Sequence, residues 1–297
     1  RLTAFLSILI SRKEPHVCIA AIRRRSTSLV GPRKKARNNM TEFGNLPTTE
    51  PVVEKLDGKT VVTLGTVHFT EGNAAVRAAL EDADVVELRE TFAQRYLGCG
   101  MPAGKRLEIH GVPGNDMACY MDGGEIEVFG NAQDQVANTM NDGDIVIHGR
   151  VGDAAGYGMR GGRILVRDGC GWRVGIHMKQ YGDKAPAIVI GGDAGSFLGE
   201  YMAGGVIVLM GTAGPYLAMG MHGGVIYLKH VLDERDIPAG LVQEPVDEHD
   251  CRVLARLLGE YNEKFAEEIG GPVDVTGEGF FRLRPANSRP YASMYAN

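Results

Sequence analysis

Short alternating runs of aliphatic and polar residues recur along the middle of the chain at a near-constant interval. They occupy residues 106–110 (RLEIH), 125–129 (EIEVF), 144–148 (DIVIH), 163–167 (RILVR), 187–190 (AIVI), 206–210 (VIVLM) and 225–229 (VIYLK). Aligned, they give one column of Leu107, Ile126, Ile145, Ile164, Ile188, Ile207 and Ile226. A second column holds Ile109, Val128, Ile147, Val166, Ile190, Leu209 and Leu228. Every member is aliphatic, as period-two strands with one buried face require. Met121, Met140, Met159, Met178, Met202 and Met221 mark one further point in the unit, at spacings of 19, 19, 19, 24 and 19 residues. Self-similarity at such a period is the signature of a solenoid.

The remainder of the unit is equally regular. A glycine column follows most strands at Gly111, Gly130, Gly149, Gly192 and Gly211, with Asp168 as the exception. Seven residues on, only alanine or glycine occurs: Ala118, Ala137, Gly156, Gly175, Gly199 and Ala218. Gly-Gly or Asp-Gly pairs such as Gly204-Gly205 and Gly223-Gly224 precede most strands. These positions are expected to need positive φ or close backbone approach, where a Cβ would clash. Residues 107–229 hold 27 of the 41 glycines, a density that rules out helices there. The predicted fold is mainly β: a right-handed parallel β-helix of about seven 19-residue coils, with a small α/β N-terminal cap and a C-terminal helix. Methionine and aliphatic ladders fill its interior, where flexible thioethers suit irregular space better than a soft-metal path. The longer interval after Met178 places residues 179–187 (KQYGDKAPA) in a loop on one face.

The flanks supply covers for the solenoid ends. Residues 60–64 and 84–88 read as strands, and 73–83 as a helix with Asn73 at its N-cap. A helical stripe runs through Val253, Leu254, Leu257, Leu258, Tyr261 and Phe265, ending at Gly270-Gly271. The outward position between the two aliphatic columns reads Glu108, Glu127, Val146, Leu165, Val189, Val208 and Tyr227. Its apolar part requires a cover, either that helix or a partner subunit. The basic, aromatic tail from Phe280, with Tyr291 and Tyr295, has the rod or a partner to dock on.

Four segments follow: 1–39 as a disordered or non-native extension, 40–105 as the α/β cap, 106–230 as the β-helix, and 231–297 as the C-terminal helix and tail. Residues 1–39 carry ten Lys/Arg and one Glu, on a chain whose net charge is −5. A patternless basic start on an acidic body is no nucleic-acid surface. It is either a targeting segment or sequence upstream of a natural start at Met40. Five cysteines without a C-x-x-C pair indicate a reducing, cytoplasmic setting and no structural zinc or iron–sulfur site. No apolar run is long enough to span a membrane.

Candidate chemistry is sparse. The histidines His110, His148, His177, His222 and His230 show no ligand spacing and read as surface or loop residues. The stretch Gly191, Gly192, Asp193, Ala194, Gly195 resembles a phosphate loop, yet it lacks the following Lys-Ser/Thr and repeats as a corner in each coil. Asp153, Asp193 and Glu200 lie on different coils, where a shared face would bring carboxylates together. A period of 19 without a six-residue sub-repeat disfavours hexapeptide acyltransferases, and a single modest insertion disfavours β-helix polysaccharide lyases.

The stretch Gly191, Gly192, Asp193, Gly195, Gly199, Glu200, Tyr201, Met202, Gly204, Gly205, Gly223 and Gly224 resembles the C-terminal GXGXG β-helix domain of the glutamate synthase large subunit. The likeness covers roughly residues 107–230 and extends to the helix beyond. A free-standing chain of this kind is similar to the separate subunits of N-methylglutamate synthase and, more distantly, to the C subunit of formylmethanofuran dehydrogenase. The resemblance implies a non-catalytic scaffold. The flavin (FMN), any iron–sulfur cluster and the glutaminase nucleophile would sit on partners: a class II glutamine amidotransferase-like subunit and an FMN-binding glutamate-synthase-like subunit. No cofactor, metal or catalytic residue is assigned to this chain. The alternatives are a structural subunit of a formylmethanofuran-type oxidoreductase and a self-sufficient β-helix enzyme with a site near residues 179–187.

Overall fold

In the computed structural model, residues 49–287 are described, all within one compact unit, Pro47–Asn297. The extension 1–39, Met40, Cys18, Tyr291 and Tyr295 lie outside them. Twelve strands form one continuous sheet. Strands β1 (Val52–Leu56) and β2 (Lys59–Gly65) make a hairpin, followed by α1 (Phe69–Asp82) and β3 (Val85–Phe92). Then come β4 (Arg106–Val112), β5 (Asp122–Phe129), β6 (Asp142–Ile147), β7 (Arg163–Val166), β8 (Ala187–Ile190), β9 (Ala203–Leu209) and β10 (Gly223–Leu228). The chain closes with β11 (Leu241–Pro245), α2 (Glu248–Phe265) and β12 (Phe281–Pro285).

Strands β2 to β10 are parallel, and from β4 onward their register is that of the aligned repeats. Ile126 pairs with Ile145, Ile145 with Ile164, Ile164 with Ile188, Ile188 with Ile207 and Ile207 with Ile226. The ladder starts two strands upstream of the repeat reading, because Val62 of β2 pairs with Leu88 of β3, and Val86 and Leu88 with Leu107 and Ile109. About eight windings result. A second side of the coil is tied by single bridges linking Ala132, Val151, Cys170, Ala194 and Ala213 in turn.

The third side is a corner in which alternate residues are left-handed. The first corner has Tyr96, Gly98 and Gly100 at φ of 64°, 69° and 65°, and the sixth has Phe197, Gly199 and Tyr201 at 65°, 69° and 53°. The expectation that such positions take glycine holds only in part. Residues as bulky as Tyr96, Phe197 and Tyr216 occupy outer positions and Ala118, Ala137 and Ala218 the central one, all at positive φ. Each left-handed L-residue costs about 1 kcal/mol. The cost is offset because each inner corner hydrogen-bonds to both neighbours, as when Ala118 N donates to Leu97 O at 2.8 Å and Tyr120 N to Asn138 O at 2.9 Å. The central position faces inward, and a Cβ on Gly156 would stand 2.6 Å from Ile188 Cδ1. That is why the column admits nothing larger than alanine. In the glycine column after the strands, Gly192 and Gly211 are not left-handed; they are pressed against the neighbouring main chain.

The interior is apolar, with Met121, Met140, Met159, Met178 and Met202 fully buried beside both aliphatic columns. A second, smaller core lies outside the sheet. There Val146, Leu165, Val189, Val208 and Tyr227 pack against Leu254, Leu257, Leu258, Tyr261 and Phe265 of α2. Of the two covers proposed for that stripe, α2 is the one present. Its N-terminus carries a capping box between Asp247 and Asp250. It ends at Phe265, before the two glycines, and Gly271 N then closes on Ala266 O at 2.8 Å.

Other expectations change. Asn73 is not an N-cap, since α1 starts earlier with His68 as its cap. Asn73 is instead buried inside the helix, donating to the carbonyls of Phe69 and Arg95, both at 2.7 Å. The tail contributes β12, which pairs antiparallel with β10 and carries β11 on its other edge. With the β1–β2 hairpin opposite, both ends of the parallel ladder are finished by antiparallel strands.

Candidate functional site

The twelve motif residues between Gly191 and Gly224 shape successive windings and do not line one pocket. Gly191 lacks a Cβ where one would meet Arg167 O and the Tyr261 hydroxyl, both at 2.1 Å. The gap lets that hydroxyl donate to Arg167 O at 2.8 Å, pinning α2 to the sheet. Gly192 lies against Gly169, Gly204 against Gln180, Gly205 against Pro186 and Gly223 against Ala203. Gly195 makes room for the Trp172 indole, Gly199 for Ile226 and Gly224 for Met202. Asp193 accepts from the Thr212 amide and hydroxyl, both at 2.7 Å. These bonds hold its carboxyl below the usual range. Asp153 likewise accepts from Trp172 N at 2.8 Å, and Glu200 bonds Arg173 at 3.0 Å. All three carboxylates therefore tie one winding to the next. Residues 179–187 form the expected turn, closed by Tyr181 and Lys184 and tethered by Lys184 to Asp142 at 2.7 Å.

The densest polar cluster was not anticipated. It lies where the C-terminal half of α2 crosses β4 to β7, around a cavity of about 200 Å³ lined by Arg106, Glu127, Asp144, Arg163, Glu260 and Lys264 among others. His148, read from sequence as a surface residue, is nine-tenths buried here. Its Nε2 lies 3.0 Å from Glu127 and its Nδ1 contacts Glu268. Both nitrogens can donate to carboxylates only in the doubly protonated ring. Burial opposes that charge, but the two carboxylates outweigh it and raise the His148 pKa above 6.5. The hydrogen bond from His148, helped by Lys264 and Arg106 against the cost of burial, pulls Glu127 down to about 2. Arg167 joins through Glu268 and Asp168.

A signal for this cluster exists one step past the second aliphatic column, where His110, Phe129, His148, Arg167 and Gly191 follow one another. The first three stack, with ring centroids 4.7 and 5.0 Å apart. Chemically, the cluster is a clamp. His148 is held between two carboxylates, and Arg106, Arg163, Arg167 and Lys264 are each paired with one, while one buried oxygen of Glu260 has no hydrogen-bond partner. Among the described residues, no three His, Cys, Asp or Glu side chains are grouped to hold a metal ion. No helix there is long and apolar enough to cross a membrane.

These features define a parallel β-solenoid built on glycine corners, sealed along one face by a helix. The family described as GXGXG motif matches residues 81–270, taking in the ladder from within α1 to the end of α2. The chain belongs to this family, that of the glutamate synthase GXGXG domain. It is 34% identical over 253 residues to the uncharacterized protein MJ1350 of Methanocaldococcus jannaschii, covering 79% of this chain and 95% of the relative.

Proposed function

We propose that this chain is a non-catalytic scaffold subunit of a glutamate-synthase-like complex of the N-methylglutamate synthase type, working in the cytoplasm. It holds a class II glutamine amidotransferase-like subunit and an FMN-binding synthase subunit at a fixed separation. Flavin, any iron–sulfur cluster and the glutaminase nucleophile belong to those partners. One observation carries this reading: among the described residues, the buried carboxylates Glu127, Glu200 and Asp250 tie windings to one another or α2 to the sheet, which suits a stiff spacer. Membership of the GXGXG family supports it. Rods with neighbour-only contacts present long rigid faces suited to this task.

Purification of the tagged chain from its source cell tests the proposal. An amidotransferase-like chain and a flavin-bearing chain are expected in fixed proportion, with glutamine turnover lost when either is removed. Turnover by the isolated chain would refute it, as would co-purification with molybdopterin- or tungsten-bearing subunits.

A further inference from the structure

One stretch of the corner face departs from the charge pairing seen elsewhere. Arg160 and Lys179 occupy the same position in adjacent windings, since Arg160 N bonds Met140 O and Lys179 N bonds Met159 O. They are exposed and line a groove of about 370 Å³ with Tyr157, His177, Tyr201 and His222, and no carboxylate lines it. Among the described residues neither Arg160 nor Lys179 has an ion-pair partner. Like charges side by side in a ladder destabilise it. Elsewhere stacked like charges are matched by opposite ones: Glu87, Glu108 and Glu127 share one register but pair with Arg89, Lys59 and Arg106, and Arg163 meets Asp144 at 2.7 Å.

The aromatic rings here are stacked along the rod. His177 stacks on Tyr201 at 5.2 Å, and Tyr201 lies over Gly220, where a Cβ would fall 2.5 Å from its ring. The two cations thus sit beside a run of aromatic rings whose edges are electropositive and whose hydroxyls can donate to a carboxylate. Flanking the groove on the same corners are Trp172, Tyr216 and Met219, exposed by 53, 63 and 48%. Exposed aromatic residues and methionine with arginine are the side chains enriched in protein interfaces.

We propose that this face, from Tyr157 to Met219, docks an acidic, carboxylate-rich segment of a partner protein. Charge complementarity selects the occupant: two adjacent unneutralised cations on a chain of net charge −5 attract carboxylates. The patch beyond the groove is too broad for a small ion. This inference goes beyond the scaffold reading and stands whatever enzyme the partner belongs to.

Trp172 is the chain's one tryptophan and reports on the patch directly. A synthetic peptide of alternating glutamate and tyrosine is titrated against the whole chain while Trp172 emission is followed. A saturable, salt-sensitive change is expected, weakened at least about tenfold in Arg160→Glu/Lys179→Glu, because desolvated opposite charges become like charges. Should that variant not fold, Arg160→Gln/Lys179→Gln gives the same readout. Lys55→Glu/Arg235→Glu applies the same charge change elsewhere and should bind as the parent does. The proposal fails if the peptide does not bind, if the control loses as much affinity, or if the groove variants bind normally. It fails equally if inorganic phosphate or free glutamate displaces the peptide at equal concentration, which would make the groove a small-anion site.

Discussion

Gly211 and Gly199 separate the two reasons this rod uses glycine. A methyl on Gly211 would stand 2.3 Å from Gly192 C, 2.4 Å from Gly192 O and 2.6 Å from Asp193 N, all main chain of the preceding winding. Restoring ordinary contact requires the two windings to part by about 1 Å. The adjoining bonds, Met210 N to Ile190 O at 3.0 Å and Gly214 N to Ala194 O at 2.9 Å, would then open beyond bonding range. Two lost bonds with buried, unsatisfied groups put the cost of Gly211→Ala at about 3 kcal/mol or more. Gly199 differs in both respects. Its φ is +69°, and its methyl would meet the movable Ile226 Cδ1 at 2.7 Å. Ala218 already tolerates φ of 51° in the same column. Gly199→Ala is therefore expected to cost about 2 kcal/mol, roughly half from handedness and half from turning Ile226 off its rotamer. Urea midpoints of both variants, with Ile226→Val added to each, measure the difference. Removing Cδ1 should couple favourably with Gly199→Ala and be additive with Gly211→Ala. The reasoning is refuted if Gly211→Ala is the milder change, or if Ile226→Val rescues neither.

Three further outcomes are expected. Met159→Asp places a charge in the apolar interior and should abolish soluble expression, whereas Met159→Leu should cost less than about 1.5 kcal/mol in the urea midpoint. The α2 clamp should depend on pH with opposite signs at its two ends. Glu127, depressed from 4.5 to about 2, contributes fully above 4.5 and is lost as pH falls through about 2. His148, raised above 6.5, contributes fully below 6.5 and is lost as pH rises through its folded value. The stability gap between the parent and His148→Gln should thus be widest between pH 4.5 and 6.5 and shrink in alkali. Tyr227→Phe removes a buried bond of 2.7 Å to Asp250, whose carboxylate keeps Arg282 and the Asp247 amide. Its midpoint should fall by about 1–2 kcal/mol, and by far less when Asp250→Asn is already present.

The winding itself was legible because a buried face repeated every 19 residues leaves an aliphatic imprint that no other architecture would produce. What escaped reading was set by contacts distant in sequence. Strands β11 and β12 pair across a helix, and their runs LVQEP and FRLRP carry too few apolar residues to stand out. Asn73 has the chemistry of a cap, but its amide bridges to Arg95, a partner invisible in local pattern. Phe197, Tyr201 and Tyr216 carry none of glycine's signal for left-handed backbone; the ladder imposes that conformation on them. The charged clamp was half legible. Its rod residues share one register, whereas Lys264 on α2 and Glu268 in the turn just after it lie more than 100 residues away.

The antiparallel finish at each end leaves α2 as the part that fixes the molecule's length. Each turn of the spiral rests on the turns beside it, but α2 reaches across them from Glu127 to Tyr227. Duplicating or excising one turn would shift one anchor against the other by about 5 Å, the rise between neighbouring strands, and unseat the helix.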